Sequence, residues 1–288
     1  MSDLRSTRIP SNTADSAVDL RWPASAIWRP GEPAVNTIGM ADLRDALAKG
    51  IDDFAAMPSH AFFICLIYPV LGLVLARLFL GYDMLHLVFP VAAGFALIGP
   101  AAAIGLYELS RRREQGLDAS VWHVFDVARS PSIGAIIRLS LMLALIFLAW
   151  LYVAQLIYTQ IMGNAPPESI AAFIRDIATM ESGHRLIVVG NAVGFCFAVL
   201  VLIISVVSFP MMVDRKTSAA TAVRTSIRAV VENPLVIAAW GLFVAGALLF
   251  GFLTFGLGLA VVLPVLGHAT WHLYRKIVSR DRFYSDDA

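Results

Sequence analysis

The sequence predicts an all-α, polytopic membrane protein: six transmembrane helices arranged as three hairpins, each preceded by a cytoplasmic interfacial amphipathic helix. Three observations carry that expectation. The chain is 58% hydrophobic and only 15% charged, with a mean hydropathy of +0.74, where soluble domains run nearer ~25% charged. Apolar segments recur at the roughly 20-residue length that a helix needs to cross about 30 Å of hydrocarbon. Lys and Arg collect on alternate connections between those segments. With a net charge of +1 over 288 residues, the totals argue for neither a nucleic-acid surface nor an acidic tail.

Residues 1–40 carry Pro10, Pro23, Pro30 and Pro33 among Ser, Asn and Thr. They hold too little apolar surface to offset chain entropy, so they are expected to be a disordered cytoplasmic tail. The first apolar run starts only at Ala61, and no cleavable leader is expected ahead of it. The membrane domain is then residues 41–276, with spans at 61–80, 85–107, 135–158, 186–209, 235–253 and 257–274, followed by a cytoplasmic tail, 277–288. The last two spans divide at Thr254-Phe-Gly-Leu-Gly258, a composition suited to a tight turn. Between the third and fourth spans, Pro166 and Pro167 open a stretch with Ile170, Phe173, Ile174 and Ile177 on one face, which predicts a short surface-lying helix.

Orientation follows from the basic residues, which are retained on the cytoplasmic side of short loops. Arg44 and Lys49 precede the first span, Arg111, Arg112, Arg113 and Arg129 lie between the second and third, Arg215, Lys216, Arg224 and Arg228 follow the fourth, and Arg275, Lys276, Arg280 and Arg282 follow the sixth. The other side holds Arg77, Arg175 and Arg185. Both termini are therefore expected inside. Arg111, Arg112, Arg113, Arg275, Lys276 and Trp271 are the expected membrane-interface anchors.

A threefold pattern runs through the chain. Apolar positions fall four and seven residues before a proline in each of three stretches: Phe54 and Ile51 before Pro58, Val127 and Val124 before Pro131, Val230 and Ile227 before Pro234. Leu47 and Val223 add an eleventh-residue offset in two of them. That spacing marks one face of a helix, lying in the headgroup boundary and feeding a transmembrane hairpin. Small residues, including the Gly190 and Gly194 pair, suit close helix packing.

Chemistry-bearing residues are sparse. No nucleophile elbow, P-loop, HExxH or dinucleotide fingerprint occurs, so no catalytic residue is assigned. No Asp, Glu or Lys falls near the middle of an expected span; Gln155 and Asn191 lie deeper. That pattern lacks the carboxylate relay of an ion-coupled pump. His60, His123, His268 and His272 all map to the cytoplasmic rim, and His268 and His272, four apart, share a helix face where two imidazoles could hold a metal or face a haem edge. Asp52, Asp53, Glu108 and Asp126 are the acids near them. His, Trp and Tyr are also ordinary interfacial residues. Cys65 and Cys196 sit in apolar runs and read as packing residues.

Asp42-Leu-Arg-Asp-Ala-Leu47, Gly50-Ile-Asp-Asp-Phe54, Ile98-Gly-Pro-Ala101, Tyr107-Glu-Leu-Ser-Arg-Arg112 and Gly267-His-Ala-Thr-Trp-His272 together resemble the bacterial domain-of-unknown-function 2189 family of integral membrane proteins, over roughly residues 41–276. The resemblance implies a bacterial inner membrane and six spans, and supplies no activity. Some members are labelled cytochrome c oxidase subunit I; such a subunit holds its haems on histidines inside the helices, whereas the histidines here fall at the rims.

The function expected from these residues is that of a non-catalytic membrane scaffold or partner-binding protein, in contact with membrane lipid and with a membrane protein partner or a second copy of itself. The alternative is a small-solute transporter or channel with its path near Pro100, Pro264 and Asn191. A haem- or metal-binding redox component is third.

Overall fold

The computed structural model describes residues 32–57, 84–165, 168–215, 217–254 and 256–283. The expected first span, 61–80, lies outside them, as do His60, Pro166 and Pro167. The chain begins with strand β1 (Pro33–Val35) and helix α1 (Met40–Ala56). After a short 3-10 turn at Leu85–Leu87 come α2 (Val88–Ala102), α3 (Ile104–Glu114) and a nine-residue 3-10 helix, Val121–Arg129. Next are α4 (Ile133–Met162), α5 (Ile170–Thr179), α6 (Glu181–Ser205), α7 (Ser208–Asp214), α8 (Ala219–Glu232), α9 (Pro234–Leu253), α10 (Leu259–Ile277) and strand β2 (Val278–Phe283).

Two surfaces of α4 explain the membrane class. One stripe, Ile136, Leu139, Leu143, Trp150, Ala154 and Tyr158, is buried in the bundle. The other, Leu141, Leu145, Leu148 and Tyr152, is 58–66% exposed. Both are apolar, as happens when one side meets protein and the other meets lipid. On α9 the outward stripe Leu235, Leu242 and Leu249 is 83, 76 and 56% exposed, and α6 adds Val188 and Phe195. In water each such leucine would forgo about 1.5–3 kcal/mol of burial; a hydrocarbon surround removes that penalty.

Three helical segments among the described residues are long and apolar enough to cross a bilayer: Ile133–Met162, Glu181–Asp214 and Pro234–Leu253. A fourth is a pair, Leu85–Gly94 and Ala96–Ala102, bent by 42°. The expected straight span 85–107 is thus broken twice, within α2 and again at Ala103 between α2 and α3. Pro100 lies inside α2 and has no N–H to give the preceding turn. The expected sixth span corresponds to α10, whose second half carries His268, His272, Arg275 and Lys276 and packs inside the protein. The expected turn after α9 is present, with Gly256 at φ +79°, where only glycine sits without strain. The expected surface helix is α5, capped by Ser169 Oγ accepting from Ala172 N at 3.1 Å.

The tightest packing lies at the end of the bundle that carries the basic residues. Tyr107, Phe209, Met211, Met212, Trp271, Leu273 and Tyr274 are each at most 2% exposed there. Residues 32–40 of the first expected tail and 277–283 of the second both contribute to this end. Pro33–Val35 pairs antiparallel with β2, Pro33 opposite Phe283 and Val35 opposite Val278. Glu32, just before the strand, is buried between Arg224 (2.6 Å) and Arg228 (3.2 Å) of α8. A buried carboxylate held by two guanidiniums supplies the order that the composition of the segment does not.

The three amphipathic stretches take two different forms. α1 and α8 are α-helices, whereas the middle one is a 3-10 helix. α1 does not rest on its apolar positions either: Leu43, Ala46, Gly50 and Asp53 face inward, while Ile51 is 49% exposed. The contact is a close crossing of α1 over α10. A Cβ on Gly50 would come within 2.6 Å of the Ala269 backbone nitrogen, so only glycine lets the two backbones approach so closely.

Candidate functional site

The crossing of α1 over α10 places one buried carboxylate at the centre of the basic end. Asp53 sits three residues after Gly50, on the same face of α1, and its side chain is 3% exposed. Ser110 on α3 donates its hydroxyl to Asp53 Oδ2 at 2.5 Å, and His272 Nε2 lies 2.8 Å from the same oxygen. Arg113 pairs with Asp53 Oδ1. With its proton directed at Asp53, the Ser110 oxygen accepts from His268 Nδ1 at 2.8 Å. Burial alone would raise the proton affinity of Asp53; the hydrogen bonds from His272, Ser110 and Arg113 outweigh it and hold the carboxyl below the usual carboxylate range.

Around this centre the charges close on one another. Glu114 accepts from Trp271 Nε1 (3.0 Å), Arg275 (3.2 Å) and Arg280 (2.7 Å). Asp214 accepts from Tyr274 Oη (2.6 Å) and Arg275 (3.2 Å). Lys276 reaches Asp42 at 3.2 Å and Asp45 at 2.8 Å. Its partners raise its proton affinity, while hydrogen bonds from Lys276 and Lys49 lower that of Asp45 to about 2. Glu108 takes both arms of Arg111, at 2.6 and 2.7 Å.

Several sequence expectations change here. Trp271, expected in an aromatic belt at the bilayer surface, is fully buried, because α1, α3 and α10 enclose it and Glu114 accepts its indole N–H. Arg111, Arg112, Arg113, Arg275 and Lys276, expected as lipid anchors, pair with acids of the same chain. His272 bonds Asp53 directly, whereas His268 bonds Ser110 and its Nδ1 lies 3.9 Å from the carboxylate. His123 belongs to a separate cluster, with Nδ1 2.6 Å from Asp126 and Nε2 3.0 Å from Asp118. Asp52 is exposed. Among the described residues no three His, Cys, Asp or Glu side chains converge as metal ligands. His268 Nδ1 faces Ser110 and His272 Nε2 faces Asp53.

Asn191 is turned outward and returns its amide to Ile187 O of its own helix at 2.7 Å, so it does not line a path through the bundle. Pro264 is buried inside α10. At the opposite end from Asp53, His86 stacks on Tyr158 with ring centroids 4.0 Å apart and lies 2.5 Å from Gln155 Oε1. These residues line a cavity of about 150 Å³ with Thr159, Gly163, Asn164 and Ala165. Ser110, Glu114 and Asp214 were not legible as partners in this network, because the groups they bond lie 57 or more residues away. The i, i+3 and i, i+4 spacings of Glu108 with Arg111 and Arg112 were open to a local reading.

An outward apolar belt above an interlocked charged end defines the class: this is an all-helical integral membrane protein. Residues 88–214 match the family model described as "Predicted integral membrane protein (DUF2189)", the family that the sequence resembles. The match runs from the first residue of α2 to the last of α7. It includes Ile98–Ala101, Tyr107–Arg112, Ser110 and Arg113, and leaves α1, α8, α9 and α10 outside, so it is narrower than residues 41–276. No curated protein and no solved structure matches the chain.

Proposed function

We propose that the protein is a non-catalytic scaffold of the bacterial inner membrane, with six spans in three hairpins and both termini cytoplasmic, whose charged end presents a fixed surface to a membrane protein partner or to a second copy of itself. One observation carries the reading: the titratable groups around Asp53 and Glu114 satisfy each other. Asp53 receives Ser110, His272 and Arg113; Glu114 receives Trp271, Arg275 and Arg280. A general base or a metal ligand needs a lone pair directed at its target, and a saturated network instead fixes shape. The excess of Arg and Lys at this end supports its cytoplasmic placement.

Affinity purification from the native host in mild detergent, followed by mass spectrometry and an absorption spectrum of the same sample, tests the reading. A stoichiometric protein partner or a defined homo-oligomer is expected, with no Soret band. A monomer that repeatedly emerges alone, or one carrying haem, contradicts it. Reporters fused near Asn164 and after Arg113 test the orientation, the first expected outside and the second inside.

The cavity at His86, Gln155 and Tyr158, at the end of α4, favours a second reading, a small-solute carrier, because it brings His and Gln side chains together beside apolar helices. Solute flux in proteoliposomes that is lost in Gln155→Leu supports that reading over the first.

A further inference from the structure

The nine residues Val121-Trp-His-Val-Phe-Asp-Val-Ala-Arg129 form a 3-10 helix, longer than the three or four residues at which most such helices stop. A 3-10 helix has three residues per turn, so positions three apart eclipse. The sequence repeats with the same period: Val, Trp, His; Val, Phe, Asp; Val, Ala, Arg. Three faces result. Val121, Val124 and Val127 form the first. Val127 is 7% exposed, and a Cβ on Gly105 of α3 would lie 2.8 Å from Val124 Cβ, so this face is packed against α3. His123, Asp126 and Arg129 form the second, polar face, on which His123 joins Asp126 and Arg129 lies 3.2 Å from Asp126. Trp122, Phe125 and Ala128 form the third, with Trp122 75% and Phe125 59% exposed.

The third face leads in sequence toward the lipid-facing side of α4. The 3-10 helix ends four residues before α4, whose first exposed apolar residue, Ile137, begins the outward belt that continues through Leu141 and Leu145. Arg138, beside Ile137, is exposed at this level and can extend to the headgroups, as Arg near span ends does. A tryptophan with an apolar body and one N–H favours the same boundary. We propose that the Trp122–Phe125 face is the protein's contact with the bilayer interface, lying at the junction of headgroup and acyl chain, while the His123–Arg129 face stays in water. The inference rests on the membrane-spanning reading of α4 and is independent of the scaffold role.

Nitroxide labels placed singly at positions 121–129 in a Cys65→Ser, Cys196→Ser background, with the full chain in vesicles of phosphatidylethanolamine and phosphatidylglycerol, test it through collision with oxygen and with a water-soluble nickel chelate. Labels at Trp122→Cys and Phe125→Cys are expected to favour oxygen over nickel by several-fold relative to His123→Cys and Arg129→Cys, and labels at Val124→Cys and Val127→Cys to meet neither reagent. Equal nickel access at 122 and 129 would overturn the proposal. So would a label at 122 that meets neither reagent, which would place a second protein on that face. A label at Leu145→Cys serves as the reference: oxygen preference there without oxygen preference at 122 refutes the interfacial contact and leaves the spanning reading intact.

Discussion

Replacing Asp53 with alanine should release α1 from α10 while leaving the spans in place. The loss can be worked from its partners. Ser110 is fully buried, so its hydroxyl, deprived of an acceptor, costs about 1–3 kcal/mol. His272, 14% exposed on its side chain, loses an ionic acceptor with little water to replace it, for about 1 kcal/mol. Arg113 is 42% exposed and rehydrates, so its share is about 0–1 kcal/mol. Together these give about 2–5 kcal/mol of docking energy, or roughly 30- to 5000-fold faster exchange for amides that open with α1. Hydrogen exchange read by mass spectrometry in nanodiscs is the assay. Peptides within Met40–Ala56 should lose protection by that factor, and peptides within Ile133–Met162 should not. Asp53→Asn, which keeps one acceptor, should lose less. Unchanged protection of α1 in Asp53→Ala would refute the reasoning, since docking would then rest on the Ala46 and Gly50 contact alone.

Gly50→Leu should lower thermal stability in detergent by about 1–3 kcal/mol through overpacking, because even a Cβ there meets the Ala269 backbone, while Gly246→Ala, with nothing within 4 Å of its added carbon, should leave the melting temperature near that of the wild type. The 118–129 segment should depend on pH: Asp126 and Asp118 raise the proton affinity of His123, so its hold on the segment is complete below about pH 6.5 and lost as pH rises through the elevated value, which exchange in that segment measured across pH 5–9 should display, and Asp126→Asn should flatten. Asp53 has the opposite sign: held below its ordinary range, it contributes fully above about pH 3.8 and loses that contribution as pH falls through the depressed value, so α1 should detach in acid before the spans unfold. Glu32→Gln should free β1 from α8 and expose residues 32–40 to protease, with the buried Arg228 weakened in its pairing by about 2–4 kcal/mol; an unchanged cleavage pattern would show that the strand pair holds without the ion pair.

The membrane class was open to sequence reading because it depends on local quantities. Runs such as Ile133–Met162 need no partner to declare their length and polarity, and the turn at Thr254–Gly258 is marked by its own glycines. The sixth segment was legible in part: its apolar first half, Leu259–Leu266, shows in the sequence, whereas the enclosure of its polar second half by α1 and α3 depends on contacts distant in sequence. The contact of α1 was legible only in part: periodicity drew attention to Leu47, Ile51 and Phe54, whereas the close approach at Ala46 and Gly50 and the pairing of Asp53 depend on α10 and α3, far away in sequence. The pairing of His272 was half visible: its spacing from His268 put both rings on one face, and only the fold brought Asp53 to His272 from 219 residues away. The period-three sequence of Val121–Arg129 was present throughout and was masked by counting back from Pro131 in helical offsets, which placed Val124 and Val127 correctly and left the Trp122 face unread.

Cysteine labelling of α1 tests the central claim most directly. In a Cys65→Ser, Cys196→Ser background, Ala46→Cys lies on the face packed against α10, where Ala46 is 0% exposed, and Ala48→Cys lies on the open side of the same helix. With a maleimide admitted to both sides of permeabilised membranes, position 48 should label readily and position 46 only after denaturation. Equal labelling of the two in native membranes would contradict a charged end locked together around Asp53.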